Sequence, residues 1–479
     1  MRVLLIYPNA RKGKLSHMDT AAIAEPLALE YVAAGAKLDG HEVRLLDLRL
    51  HVDALDETLL SYRPEVVGIT GFSMHVLRGL EVCARAKELL PDCKTAAGGL
   101  HATFEPIDFF EPQMDYVFVG QGVHAFREVL ARLAQGRSME GIGGLHYRVG
   151  GRFEYGGDEP EFDVEALPHP DRTVVPEDRA QYVVENMRPI ALLRTGAGCA
   201  YRCTFCSVWR ITGGLYQNRT VDDVVAEIRE IPERHIHLTD DEPFLNGRRM
   251  AELAKAIREA GVEKEYYCYC RVDSFLRNRE LMAQWAAIGL KVLFMGFESI
   301  FEDEMVEYNK RQTRQDFIEA HRVAKELGLE IFAGLIVNPR WTEREFEKLR
   351  EFLVENKIKY ASFSVWTPIP GTEDGGTNYD KVISRQPNGR PNWSEFDFQN
   401  PVVATALPKQ EFLAQIGRLY EISRHGLVGL GAIPSRSPEA PSAGAPPGQG
   451  LSEDAYIRLA RFVLGGGGKG EAAKGADPV

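Results

Sequence analysis

The chain has little cysteine: seven residues in 479, and an odd number. Proteins built on disulfides carry paired thiols at higher density, so metal-binding or catalytic use fits better than a disulfide framework. It lacks any uninterrupted apolar run of about 18 residues, which a membrane-crossing helix needs. Its amino terminus, MRVLLIYPN, lacks the long apolar core and small-residue cleavage site of a secretory signal. A cytoplasmic setting is expected. It also lacks an excess of positive charge. Lys and Arg number 57 against 69 Asp and Glu, a net charge of -12, which argues against nucleic acid as the main partner because phosphate binding wants a basic surface. The 44% apolar and 26% charged residues are those of a globular protein. The length exceeds what one core serves, so two or three domains are expected.

Periodicity divides the chain. VLLIY (Val3 to Tyr7) reads as a buried strand, and EPLALEYVAAGAKLDG (Glu25 to Gly40) as a helix closed by glycine. The alternation repeats through Glu42 to Leu48, Pro64 to Thr70, Leu80 to Leu90, Lys94 to Gly99 and Asp115 to Gly122. Apolar strands alternating with helices imply a doubly wound, parallel α/β sheet over residues 1–140. Such sheets bind ligands at the carboxyl ends of their strands. Those ends carry GITGFS with Thr70 and Ser73, GGLHATF with Gly98, Gly99 and His101, and GQG with Gly120, Gln121 and Gly122. Glycine there lets backbone approach a large ligand closely. It equally serves a tight turn, and local chemistry alone does not separate the two.

Residues 141–188 read as a connecting arm. Six further strands follow at Ile190 to Leu193, His235 to Leu238, Tyr266 to Cys270, Val292 to Met295, Glu330 to Ala333 and Ala361 to Val365, with helical patterns between them. Six βα units over 189–400 imply a partial barrel with its chemistry at one rim. A helical region with a Pro/Gly-rich linker is expected over 401–464, and a disordered tail over 465–479. GGGGKG in that tail lacks the strand and the Ser or Thr of a phosphate loop.

Three of the seven cysteines stand in GAGCAYRCTFCSVWR: Cys199, Cys203 and Cys206. Structural zinc would need a fourth protein ligand at tetrahedral geometry. Cys268 and Cys270 are separated by one residue on a strand and make a poor second half-site, while Cys83 and Cys93 read as buried small hydrophobes. An iron-sulfur cluster held by three thiolates leaves one iron open for substrate or cofactor chemistry.

This loop resembles the CxxxCxxC motif of the radical S-adenosylmethionine enzymes, in the loop after the first barrel strand where that superfamily carries it. The resemblance implies a [4Fe-4S] cluster on Cys199, Cys203 and Cys206. Its open iron would chelate S-adenosylmethionine, which one electron splits to methionine and a 5'-deoxyadenosyl radical. It also implies contacts to that cofactor from Phe205, from Asp240 and Asp241 in HLTDDEPFLN, and from Glu298 and Ser299 in MGFES. CRVD (Cys270 to Asp273) and TPIPGT (Thr367 to Thr372) fall at further strand ends.

A doubly wound domain ahead of such a barrel is similar to the cobalamin-binding subclass, and the order of EPLALE, GGxHA, cysteine loop and acidic DD resembles the hopanoid C-3 methylase group. The implied cobalamin contacts are Thr70, Ser73, Gly98, Gly99, His101, Gly120, Gln121 and Gly122. Two departures are visible. No Asp-x-His-x-x-Gly motif supplies a lower axial histidine, and GQGVHAF replaces the acidic GEGE. The resemblance implies methyl transfer from S-adenosylmethionine, through methylcobalamin, to an unactivated carbon of a small-molecule or lipid substrate. A flavodoxin or ferredoxin would serve as electron donor, and a lipid substrate would bring peripheral membrane contact. An oxidative cyclisation with the same cofactors, and a non-catalytic cobalamin or redox sensor, are the alternatives.

Overall fold

Val3, Leu4, Leu5 and Ile6 are all essentially buried, as expected of a strand covered on both faces by helices. In the computed structural model, which describes residues 1–10, 22–159 and 161–423, this strand is β1 (Arg2–Tyr7). It lies one strand in from the edge of a sheet with β2 (Glu42–Asp47), β3 (Val66–Ile69), β4 (Lys94–Ala97), β5 (Tyr116–Phe118), β6 (Leu145–Val149) and β7 (Arg152–Tyr155), ordered β2-β1-β3-β4-β5-β6-β7. The first five strands pair in parallel and the last two are antiparallel. Helices α1 (Leu27–Leu38), α2 (Leu55–Tyr62), α3 (Val76–Leu89) and α4 (Gly122–Gln135) divide between its faces. Leu29 and Ala33 of α1 pack with Phe126 and Val129 of α4, and Leu55 and Leu59 of α2 with Val76 and Val82 of α3. The sheet is therefore doubly wound. Strands β6 and β7 lie within the stretch read as a connecting arm, so the sheet runs on past residue 140.

The second sheet holds β8 (Ile190–Leu193), β9 (His235–Leu238), β10 (Glu265–Cys270), β11 (Leu290–Glu298), β12 (Glu330–Val337) and β13 (Ala361–Val365), all parallel and in chain order. Its ends do not meet, so the barrel is partial. Helices α5 (Val221–Glu230), α6 (Gly247–Glu259), α7 (Arg279–Ala287), α8 (Arg314–Glu326), α9 (Glu343–Glu355) and α10 (Lys409–Ile422) accompany it. Each apolar helix stripe buries against alternate strand residues, as with Ile228 of α5, Leu253 of α6 and Phe317 of α8 beside Ile236, Cys268 and Leu293. The other strand face turns inward and carries Ile190, Tyr267, Val292 and Phe332. The remainder of the expected helical region and the tail lie outside the described residues.

The arm clamps the halves together through buried charges. Arg172 donates to Glu227 Oε1 at 2.8 Å and to the Leu192 carbonyl at 2.6 Å. Arg179 donates to Glu25 Oε2 at 2.6 Å and Glu233 Oε1 at 2.5 Å. Glu25, just ahead of α1, also accepts the Leu192 amide of β8 at 2.5 Å. A second tie comes from beyond β13, where Val382, Trp393, Phe396 and Val403 join the apolar cluster of α2 and α3.

Candidate active site

The carboxyl ends of β1, β3, β4 and β5 open on a cavity of about 380 Å³. Thr70, Gly98, Gly99, Gly120, Gln121 and Gly122 form its lip, and an apolar slot bounded by Leu5, Leu29, Val32, Ala96, Phe118 and Phe126 descends between the sheet and helices α1 and α4. Protein interiors are close-packed, with few voids larger than a water molecule, so a slot of this size is a receptacle. Gly99 has φ +95, and a Cβ there would lie 2.5 Å from Thr70 Oγ1 and 3.0 Å from the Gly71 amide nitrogen. A side chain cannot be accommodated at Gly99, where the backbone stays bare, while at Gln121 the amide donates to the Glu159 carboxylate. The opposite wall belongs to the barrel: Arg194, Ala197, Val208, Ile211, Thr212 and Asp241.

Two of the expected lip residues do not reach this cavity. The one-turn helix Leu100–Phe104 carries His101 away from it. The His101 ring is buried, its Nδ1 2.9 Å from Ser73 Oγ and its Nε2 3.0 Å from Asp108 Oδ2, with the Trp393 ring 4.6 Å away. Both nitrogens and the Ser73 hydroxyl are thus engaged with one another and with Asp108, and the loop is satisfied internally.

The cysteine loop leaves β8 through Gly196–Ala197, which pairs with Gln217–Asn218. Cys203 is buried, while Cys199 and Cys206 are half-buried. Burial pushes the Cys199 thiol up to about 11 and the Cys206 thiol up to about 12, with the Tyr201 and Val208 amides acting in the opposite sense on the two sulfurs. The free Cys199 and Cys206 thiols stay protonated at neutral pH, and iron must displace their protons. Arg271 Nη1 lies 3.6 Å from Cys203 Sγ and its guanidinium stacks 3.7 Å over the Tyr201 ring, setting one buried cation beside the three thiols. The Trp209 indole donates to the Cys203 carbonyl at 3.3 Å. Cys268 and Cys270 face the helix side of β10 within the core, away from any second half-site. Among the described residues no three His, Cys, Asp or Glu side chains gather about a single metal ion. The donors that are present, three thiols with amide hydrogen bonds and a cation, suit a polynuclear cluster.

At the end of β9 the acidic run divides its labour. Asp240 is buried and accepts the Thr195 amide at 2.6 Å and the Thr195 hydroxyl at 2.5 Å, which ties β9 to β8. Asp241 accepts the Gly198 amide at 2.8 Å and lines the cavity. Glu242 accepts the Arg271 amide through Oε2 at 2.7 Å, while Oε1 is buried without a hydrogen-bond partner. Burial raises its carboxyl to about 7. Glu242 was not among the expected cofactor contacts, although it ends the same acidic run as Asp240 and Asp241. Phe205 is half-buried and meets the Tyr308 ring edge-on at 5.5 Å. Glu298, at φ +61, accepts from Lys310 Nζ at 2.7 Å. The fully buried Ser299 hydroxyl lies 2.5 Å from Glu304 Oε2 and accepts the Phe301 amide, so it is spent within its own turn.

Residues 193–353 match the Radical SAM superfamily and residues 19–130 the B12 binding domain. The chain is 30% identical to hopanoid C-3 methylase of Methylococcus capsulatus over 428 residues, covering 88% of this chain and 80% of that protein. The chain belongs to the cobalamin-dependent radical S-adenosylmethionine family. It is 25% identical to the anaerobic magnesium-protoporphyrin IX monomethyl ester cyclase of Rubrivivax gelatinosus, over 77% of this chain and 68% of the cyclase. Its fold matches the radical S-adenosylmethionine methyltransferase TsrM from Kitasatospora setae, solved with tryptophan and aza-SAM, at a TM-score of 0.66, 19% identity and coverage of 87% of this chain and 88% of TsrM. As a family member the chain is an enzyme of methyl transfer, with a [4Fe-4S] cluster, S-adenosylmethionine and cobalamin as cofactors. The non-catalytic sensor reading falls with that assignment. Among the described residues no helix is long and apolar enough to cross a membrane.

Proposed function

We propose that the chain methylates an unactivated carbon of a small, largely apolar molecule, with the two cofactor sites meeting where the barrel rim closes over the first sheet. One observation carries this reading: a single cavity is walled on one side by the glycine lip and on the other by Val208, Ile211 and Thr212, which directly follow the cysteine loop. When bound, the cluster with S-adenosylmethionine supplies hydrogen abstraction and cobalamin supplies a transferable methyl group, chemistry that no side chain of ordinary basicity performs.

The residues divide the remaining work. Cys199, Cys203 and Cys206 hold the cluster, and Arg271 offsets its charge. Glu242, with one buried carboxylate oxygen unpartnered, is the acceptor for the cofactor's ammonium group, with Asp241 beside it on the cavity wall. The Glu298–Lys310 pair and Phe205 shape the rest of that pocket, while Asp240 and Ser299 hold the strand ends in place. Thr70, Gly98, Gly99, Gly120, Gln121 and Gly122 would cradle cobalamin, and the apolar slot beneath them would take the flat base at the end of its nucleotide tail. The buried arm salt bridges keep water from the interface, which fixes the reactants together. A low-potential flavodoxin or ferredoxin as electron source and a cytoplasmic setting belong to the same reading; all seven cysteines are free, in keeping with a reducing compartment.

Anaerobic reconstitution with iron, sulfide and cobalamin, followed by mass spectrometry of candidate substrates, tests the proposal. A product heavier by one methyl group supports it, and a dehydrogenated ring-closed product of unchanged carbon count supports the oxidative cyclisation instead. Cys203→Ala should lose the cluster absorbance. Survival of full absorbance would overturn the ligand assignment.

A further inference from the structure

His237 sits on the inner face of β9, opposite the helix-facing Ile236 and Leu238. It is 5% exposed, and neither ring nitrogen has a hydrogen-bond partner. Tyr267 and Tyr269 of β10 meet it edge-on at 4.5 and 4.9 Å. The aromatic wall continues from Tyr269 to Phe294 at 5.6 Å and from Phe294 to Phe332 at 5.6 Å. Gly334 of β12 makes room for it, since a Cβ there would lie 2.6 Å from Phe294 Cζ.

This wall faces an opening: Tyr269 belongs to a central strand yet is 37% exposed, with its ring against the inward-facing His237 and Phe294, so the exposure is toward the barrel lumen. Burial first, then the Asp241 and Glu185 carboxylates, push its phenol up to about 12.

A buried imidazole with both nitrogens unpaired forfeits the full cost of its desolvation. Burial also pulls its pKa down to about 3, so at neutral pH it is an uncharged ring with one N–H donor and one lone-pair acceptor. A hydroxyl group, donor and acceptor at once, suits either nitrogen, and the rings around it favour a flat apolar skeleton.

We propose that His237 is the polar anchor of the substrate pocket: it takes the single hydroxyl of a flat, otherwise apolar molecule whose body lies along Tyr269 and Phe294. This rests on the methylase reading above for its place beside the cofactors, but not for the binding itself. His237 is here a positioning residue.

The test uses the reconstituted, cobalamin-loaded protein and two probes, 2-naphthol and naphthalene, with binding followed by fluorescence. The unaltered protein should bind 2-naphthol at least about tenfold more tightly than naphthalene, the scale of one buried hydrogen bond. His237→Phe should erase that preference while leaving naphthalene affinity within about twofold, and His237→Gln should restore part of it, which a purely structural role would not do. Tyr269→Ala should weaken both probes alike. Equal affinity for the two probes in the unaltered protein, or an undiminished preference in His237→Phe, would overturn the proposal. The two-probe comparison on the unaltered protein stands even if a variant fails to fold. Reductive cleavage of S-adenosylmethionine without probe, measured in parallel, reports on the family chemistry separately, so loss of one result leaves the other standing.

Discussion

Filling the slot beneath the glycine lip should move stability and cofactor binding in opposite directions. Ala96 lies on β4 between Gly68 and Tyr116, is 2% exposed, and lines the slot. Ala96→Leu adds three carbons. At about 0.8 kcal/mol per buried CH₂ the variant freed of cobalamin gains about 2 kcal/mol if the void accepts the side chain. For a unit of this size that is roughly 4–8 °C in Tm. Cobalamin at one hundred times its Kd stabilises the unaltered protein by about 2.7 kcal/mol, and the variant should lose that increment because the slot is occupied. The assay is calorimetry with and without hydroxocobalamin, paired with the visible absorbance retained after desalting. A well-packed site would instead show the cost of overpacking, about 1–3 kcal/mol. A destabilised variant that still retains cobalamin would refute the placement of the cofactor's tail.

Two further outcomes are expected. Glu30 of α1 is fully buried with both carboxylate oxygens lacking a hydrogen-bond partner, and Arg179 stands 3.8 Å away. Burial, then the Glu25 charge, raises its pKa well above the usual range. A raised carboxyl contributes stability that is present below the unfolded pKa and is lost as pH rises through the folded one. Glu30→Gln should therefore be near neutral at pH 5 and stabilising by about 1–3 kcal/mol at pH 8, read by chemical denaturation at both pH values; equal effects at the two would sink the argument. Arg271→Met removes the cation at Cys203, so the more negative, reduced cluster loses support. Its potential should fall by about 60 mV, the equivalent of a charge-assisted hydrogen bond in a one-electron couple. Redox titration followed by electron paramagnetic resonance checks this, and an unchanged potential would contradict it.

The parallel strands were legible because strands covered on both faces are uniformly apolar, as in Val3 to Ile6, and the cluster loop because three thiols at fixed spacing leave little else to explain. Strands β6 and β7 were not. Leu145–Val149 alternates buried and half-exposed residues on the edge side of the sheet, and such a pattern between glycines reads as connecting chain. Ser73 and His101 lie at the expected strand ends but outside the cavity, bonded to each other, and the ring that covers His101, Trp393, lies 292 residues away along the chain, where no local pattern announces it. Strand alternation over Tyr266 to Cys270 separates Tyr267 and Tyr269 from Cys268 and Cys270, yet which face is inward depends on the helices.

The excursion after β13 constrains how this protein can be taken apart. Trp393 and Phe396, with Val382, Val402 and Val403 of the same excursion, are interior residues of a core whose remaining buried members come from the first sheet, its helices and the segments that join them. The two matched family segments are consequently not beads that recombination can shuffle freely. A barrel grafted onto a foreign corrinoid module would arrive with an orphaned tryptophan plug, and the donor module would be left with a hole of matching shape, so the halves must be inherited and re-engineered as a pair.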